Sequence, residues 1–129
     1  MKRIPLRSFN PRAILIRDCD NLFREIIRLR DKVCQRSGSS LDLQVAHFFS
    51  RSLKTLRWDE DNACLLQKGI HYFWAHSKYE EFRDWWISRI GKEAFSRLKL
   101  KAQYKGTIHT YELKIMKIAL QMRLKELER

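Results

Sequence analysis

The sequence predicts a mostly α-helical protein with one small β-hairpin. Apolar residues recur at spacings of three and four over most of the chain, which is typical of amphipathic helices. The exception follows the turn signal Ser37-Gly38-Ser39-Ser40, where Leu41, Leu43 and Val45 alternate with other residues as they do on a half-buried strand. Because 129 residues are enough to bury one core, we expect a single domain.

The N-terminal half contains a long predicted helix and the hairpin. Apolar spacing predicts a helix over residues 13–33, and a restart of that helix at Asp18 or Asp20 remains an alternative. The first strand of the hairpin leads to His47. We expect its return strand in the TLRW stretch at residues 55–58, followed by a turn before Asn62.

The C-terminal half is predicted to be helical throughout. An aromatic stripe beyond Ile70 predicts a helix that packs in the core and ends at Gly91. Another helix is expected over residues 92–103, and Thr110 is a candidate N-cap for the last one.

The chain is therefore divided into a short arm and one folded unit. Residues 1–12 are basic and contain two prolines, which favours an extended arm. Residues 13–129 form the domain, with a core at 34–78 and a helical extension at 79–129.

Charge and cysteine content restrict the class of protein. Lys and Arg number 27 against 15 Asp and Glu, a net charge of +12, so we expect a polyanionic partner. Cys19, Cys34 and Cys64 form no CxxC pair, which argues against a disulfide framework and favours a reducing compartment. Without a signal-peptide pattern or a membrane-spanning apolar run, we expect a cytoplasmic protein that makes no contact with membranes.

Three residues with catalytic side chains stand at a fixed spacing. Fourteen residues separate His47 from Asn62, and eight separate Asn62 from His71. This is the spacing of the HNH nuclease signature, and it falls on a predicted strand, turn and helix, which is the context that the signature requires.

The surrounding sequence resembles the phage NinG (Rap) family of recombination nucleases over about residues 20–127. The segments AHFFSR, RWDEDN and GIHYF carry this resemblance, together with the aromatic helix after the second histidine. The resemblance implies a ββα-metal (HNH, His-Me finger) core packed against an N-terminal helix and C-terminal helices. It further implies metal-dependent hydrolysis of DNA phosphodiester bonds, often in branched recombination intermediates of a bacterial or phage-infected cell.

Each residue of the signature has an expected chemical role. His47 is the candidate general base, because a neutral imidazole at a rigid strand end can deprotonate a water. Asn62 either offers its amide oxygen to a metal ion or holds the turn and His47. His71 is expected to ligate one divalent ion, Mg²⁺ or Mn²⁺, with Ni²⁺ or Zn²⁺ as alternatives.

The sequence departs from the family at its metal-binding positions. Ala46 stands where many HNH proteins have a further ligand. The four structural cysteines of the family map to Cys34, Ser37, Gln67 and Ile70, so we expect no structural zinc. Apolar burial is expected to replace that cross-link in part, with Cys64 as a small core residue.

Four basic residues are candidates for DNA contact. Arg51, Lys54 and Arg57 lie between His47 and Asn62, and His76 follows on the site helix; a solvated surface is the alternative role.

Other functions remain open from the sequence. One alternative is a catalytically degenerate module that binds DNA structures without cutting them. Another is a protein-interaction domain with an exposed Trp85-Trp86 surface. The sequence also leaves open whether two copies of the chain form a homodimer.

The missing ligand at Ala46 leads to a prediction about metal affinity. With fewer protein ligands, we expect the DNA-free protein to bind divalent ions more weakly than micromolar. Isothermal titration calorimetry with Mg²⁺ and Mn²⁺ tests this, and sub-micromolar binding would contradict it.

Overall fold

The computed structural model describes residues 10–129 and confirms a mostly helical protein with a two-stranded sheet. In chain order the elements are α1 (Pro11–Asp31), β1 (Leu43–His47), α2 (Lys54–Arg57), β2 (Ala63–Gln67), α3 (Lys68–Ser77), α4 (Tyr79–Ile90), α5 (Lys92–Ala102) and α6 (Thr110–Glu128). A 3₁₀ turn at Glu60–Asn62 precedes β2. Within residues 10–129, no helix is long and apolar enough to cross a membrane.

The first helix begins earlier than its apolar spacing predicted. Asn10 accepts hydrogen bonds from the backbone N–H groups of Arg12 (3.0 Å) and Ala13 (3.4 Å), and Pro11 occupies the favourable first helical position. The predicted arm therefore loses Pro11 and Arg12 to the helix, and its residues 1–9 lie outside the described part. The helix runs through without a restart and ends before Lys32, whose φ of 67° is left-handed.

The hairpin is antiparallel, and His47 pairs with Ala63 in its register. The first strand ends at His47 as predicted, but the prediction of a return strand at residues 55–58 is wrong. Residues 54–57 form the short helix α2, and the return strand is β2. The run Ala63–Leu66 is buried and shows no polar alternation, because both faces of β2 are covered.

Each face of the hairpin packs against a different set of helices. On one face, Val45 and Leu65 join the cluster of α1 and α6 that includes Phe23, Ile26 and Leu113. On the other face lies a second cluster, built from α3, α4 and α5 together with alternate strand residues; it contains Ala46, Cys64, Leu66, Trp74, Phe82, Trp86 and Phe95. Cys64 is fully buried, as expected for a small core residue.

The outer edge of β2 is paired with α1 and the segment that follows it. The backbone N–H of Leu65 donates to an Asp31 carboxylate oxygen (2.9 Å), and the Leu65 carbonyl accepts from the Gln35 N–H (2.9 Å). Arg30 donates to the carbonyls of Glu60 and Ala63, both at 2.7 Å. These bonds satisfy the strand edge and tie the hairpin to α1.

The C-terminal helices follow the sequence prediction with two corrections. The helix predicted beyond Ile70 is two helices, α3 and α4, and the second ends at Ile90, with Gly91 (φ 94°) as the capping residue after it. Helix α6 begins at Thr110, but His109 is its N-cap, with the His109 N–H donating to Glu112 (3.0 Å).

The tryptophan pair does not form the exposed surface of the interaction-domain alternative. Trp86 is fully buried and donates to the Asp61 carbonyl (2.9 Å), while Trp85 is half-buried beside it. Trp86 therefore belongs to the core, and Trp85 is partly covered beside it.

Candidate functional site

His47 is held by a hydrogen bond that defines its tautomer. Its Nε2 lies 2.9 Å from the backbone carbonyl oxygen of Arg57. Because a carbonyl only accepts, Nε2 must carry the proton in this contact, and Nδ1 then holds the lone pair in a neutral ring. The Phe23 ring packs 5.9 Å away, centroid to centroid, and limits the motion of the imidazole. Nδ1 of His47 is thus the nitrogen available to accept a proton.

The surroundings of His47 favour its neutral form. Burial lowers the pKa of His47 below its ordinary value, and the positive charges of Arg51 and Arg57 lower it further. The hydrogen bond to the Arg57 carbonyl and the charge of Asp20 act in the opposite direction but do not outweigh these effects. At neutral pH the ring is therefore uncharged, as a proton acceptor must be.

Asn62 is fully buried and uses its side chain to hold the loop between the strands. Its amide oxygen accepts from the Phe49 N–H (2.9 Å), and its amide nitrogen donates to the carbonyls of Phe49 and Leu56, both at 3.1 Å. This geometry matches the loop-holding role of Asn62. It does not support the predicted role as metal ligand, because the amide oxygen faces no open space.

His47 lines a cavity of about 220 Å³ between α1 and the loop. Asp20, Arg24 and Arg28 of α1 line it as well, opposite Arg51 and Arg57. The apolar spacing of α1 predicted a packing helix and gave no sign of a role for these three residues. Their spacing of four places them on one helix face, but only the tertiary contact of that face with the loop brings them to His47.

The structure changes the expected role of Arg57. Its guanidinium makes a forked pair with Asp20, from Nε (2.9 Å) and Nη2 (2.6 Å), and its side chain is 14% exposed. This arrangement does not support the predicted contact of Arg57 with a DNA phosphate, because Nε and Nη2 are used inside the protein, and that contact stays a prediction. Arg51 also reaches Asp20 (3.1 Å) but its side chain is 59% exposed, so it remains open to solvent.

Lys54 lies at the start of α2, in the same loop. Burial lowers the pKa of Lys54, and the nearby charge of Arg57 adds to this effect. Lys54 is half-buried and stays a predicted DNA contact.

His71 and His76 line a second cavity, of about 720 Å³. His71 lies in the first turns of α3 as predicted, and its Nδ1 is in hydrogen-bond contact with the Gln44 amide. Burial lowers the pKa of His71, and the charge of His76 lowers it further. Residues five apart on an ideal helix lie about 140° apart around its axis, yet His71 and His76 both border this cavity, where His76 packs on Tyr72 (4.9 Å between centroids).

The structure does not bring His47 and His71 into one cavity. Gln44 borders both cavities, but it lies three residues before His47, roughly 10 Å along the strand, and on the opposite face. The side chain of Asn62 reaches neither. The three signature residues therefore surround the hairpin without meeting at one point.

The predicted ligands do not fit a divalent ion as a three-ligand protein site. Among residues 10–129, no three His, Cys, Asp or Glu side chains are grouped to hold a metal. Ala46 is fully buried and has no donor atom, and Asn62 is saturated by backbone groups. Of the predicted pair, His71 alone retains a ring that borders open space.

The positions that resemble a zinc knuckle converge without their cysteines. Cys34 Sγ accepts from the backbone N–H groups of Ser37 (3.4 Å) and Gln67 (3.3 Å), and the Ser37 hydroxyl donates to the Gln67 amide oxygen. Ile70 packs against the same cluster. Burial alone would raise the pKa of Cys34, but hydrogen bonds from Ser37 and Gln67 outweigh it and lower the pKa. Hydrogen bonds and apolar contact here link the segments that the family cross-links with cysteines.

The role of Asn62 is tested by removing its amide. Asn62→Ala leaves three backbone groups without partners, and we expect the free energy of unfolding to fall by about 1–3 kcal/mol. Urea denaturation measures the change, with Asn21→Ala as the control, because Asn21 is exposed on α1. Equal losses in the two variants would contradict the proposed role of the amide.

Comparisons with known proteins add no assignment for this site. No family model matches the chain, no curated protein matches it, and no solved structure matches it.

Proposed function

We propose that this chain is an HNH-type endonuclease that hydrolyses DNA phosphodiester bonds, with His47 as its general base. One observation carries the proposal. The Nε2–H of His47 is fixed to the Arg57 carbonyl, so Nδ1 is the unprotonated nitrogen of a ring that lines a cavity with several arginines. A neutral, oriented imidazole beside cationic side chains is the arrangement that deprotonates water next to a phosphate.

The chemistry follows from this geometry. His47 Nδ1 takes a proton from a water, whose oxygen attacks phosphorus while the bond to the leaving oxygen breaks. The leaving oxygen takes a proton from solvent. Arg24, Arg28 and the exposed part of Arg51 neutralise the charge that grows on the phosphate oxygens.

The local fold supports the same proposal. The order β1, loop, β2, α3 places His47 at the end of the first strand and His71 at the start of the helix, as the ββα-metal arrangement requires. The approach of Cys34, Ser37 and Gln67 to one another agrees with the zinc-knuckle positions of the NinG-like resemblance. Branched or recombination-type DNA is the proposed substrate on that resemblance.

Metal dependence is a separate part of the proposal. His71 is the residue best placed to bind a divalent ion, and Gln44 orients its ring. Because the described side chains do not form a three-ligand site, no step above is assigned to a metal.

A DNA-binding module without cleavage activity is the second candidate function. The separation of His47 from His71 and the buried Ala46 favour it, since an HNH site needs its base and its ligand at one phosphate. In this alternative the basic cavity still binds DNA, and only the cleavage of the phosphodiester bond is absent.

The cleavage test compares the native chain with His47→Ala. On supercoiled plasmid and a labelled branched duplex, with Mg²⁺, Mn²⁺, Ni²⁺ or EDTA, we expect the native chain to nick DNA and the variant to lose about 10²–10⁴-fold in rate. The matched control is His109→Ala, because His109 caps α6 outside the His47 cavity. Salt-sensitive binding without cutting under any of these ions would favour the binding module.

The lowered pKa of His47 predicts the pH profile of cleavage. His47 acts in its neutral form, and its folded pKa lies below the ordinary value of 6.5. The rate should therefore reach its plateau at a lower pH than for a histidine of ordinary pKa, and fall on acidification through the lower folded pKa. Single-turnover rates across pH 4.5–8.5 measure this, with DNA binding followed in parallel. A rate that still rises between pH 7 and pH 8.5 would contradict the assignment.

The exposed arginines of α1 are expected to bind phosphate. Arg24→Gln with Arg28→Gln should weaken DNA binding and reduce the slope of log K against log salt by about 2, because two phosphate contacts are lost. The charge-matched control is Arg97→Gln with Lys99→Gln on α5, where both side chains are exposed outside the cavity. Equal reductions in the two double variants would show general charge attraction instead.

A further inference from the structure

We propose that Asp20 of α1 is the positioning residue for His47, acting through Arg57. The inference rests on the proposed function, because it names the residue that aims the proposed general base. No hydrogen bond joins Asp20 directly to His47; the link is Arg57, whose side chain binds Asp20 and whose carbonyl binds the imidazole.

Asp20 gathers donors from the loop onto one carboxylate. Its Oδ1 accepts from Arg57 Nε (2.9 Å) and Trp58 Nε1 (2.9 Å), and its Oδ2 accepts from Arg57 Nη2 (2.6 Å) and Arg51 Nη2 (3.1 Å). Its side chain is 19% exposed, so these bonds are largely shielded from water. One residue of α1 thus fixes three side chains of the segment that follows β1.

Arg57 transmits this constraint because both of its ends are held. Asp20 holds the guanidinium, and the carbonyl of the same residue accepts the His47 Nε2–H. The neighbouring Leu56 carbonyl is bound by Asn62, so successive residues are anchored from opposite sides. Asp20 therefore restrains, through Arg57, the carbonyl that selects the His47 tautomer.

The negative charge of Asp20 is essential to this arrangement. A carboxylate offers acceptor sites for all four donors, whereas the amide of an asparagine would direct its own N–H groups against those of Arg51 or Arg57. Charge-assisted forked bonds between arginine and carboxylate are also stronger and more directional than neutral ones. Asp20→Asn therefore releases Arg57 while changing the side-chain volume very little.

A matched control lies on the same helix. Asp18 also pairs with a cation of another element, Lys117 of α6 (3.0 Å), but it makes no contact with the loop. Asp18→Asn removes the same charge from α1 and leaves Arg57 and His47 untouched.

The first measurement is steady-state cleavage of the labelled branched duplex by the full chain at varied duplex concentration. We expect Asp20→Asn to lower kcat by about 10–100-fold with KM within about 2-fold, because misplacement of a base affects the chemical step. Asp18→Asn should stay within about 2-fold of the native kcat. A native kcat for Asp20→Asn would overturn the proposal.

The second measurement does not depend on cleavage. In ¹⁵N NMR of the DNA-free protein, His47 should give the Nε2–H tautomer signal in the native chain and in Asp18→Asn, and a mixture of tautomers in Asp20→Asn. If no version cuts DNA but this pattern appears, Asp20 positions His47 and the nuclease proposal fails. If His47 keeps its tautomer in Asp20→Asn, the positioning role is wrong whatever the activity.

A second variant covers the case in which Asp20→Asn does not fold. Arg57→Lys removes the forked pair but keeps a positive charge beside Asp20, which retains its bond from Trp58. The same loss of kcat and the same mixture of tautomers are expected. Native values for both would overturn the proposal.

Discussion

The buried amide of Asn62 is the interaction on which the candidate site depends. Its three hydrogen bonds fix both ends of the segment from Phe49 to Leu56, and the next residue supplies the carbonyl that holds His47. A buried amide that satisfied only some of these groups would leave backbone polar atoms without water or partner, at a cost of kilocalories each. Because the Asn62 amide bonds to all three backbone groups, it holds both ends of the largely irregular loop between the strands.

The two faces of the hairpin explain why the signature residues separate. Side chains alternate along β1, so His47 points to the α1 face, where Phe23 and the arginines lie, while Gln44 and Ala46 point to the α3 face. His71 lies in α3 and its ring contacts the Gln44 amide. For His47 and His71 to act on one phosphate, the DNA must reach both faces of the hairpin or α3 must move. The nuclease proposal needs one of these two conditions, and the binding module needs neither.

Much of the fold was predictable where periodicity and turn chemistry agree. The strand that ends at His47, the helix that carries His71 and the end of α4 before Gly91 all follow from local pattern. The return strand was assigned wrongly because TLRW has the composition of a strand, whereas Ala63–Leu66, buried on both faces, has no alternation to reveal it. Asp20 was missed because its partners are 31 to 38 residues away along the chain.

The sequence by itself determined the helical class, the first strand of the hairpin, the basic charge and the spacing of His47, Asn62 and His71, because these depend on local periodicity and composition. The tertiary structure decided which groups those residues contact. Burial turned Asn62 from a candidate ligand into a loop anchor, and the contact of α1 with the loop gave Asp20 its place behind Arg57. Such roles depend on which distant groups come into contact in a low-dielectric interior, and the spacing of residues along the chain does not show those contacts.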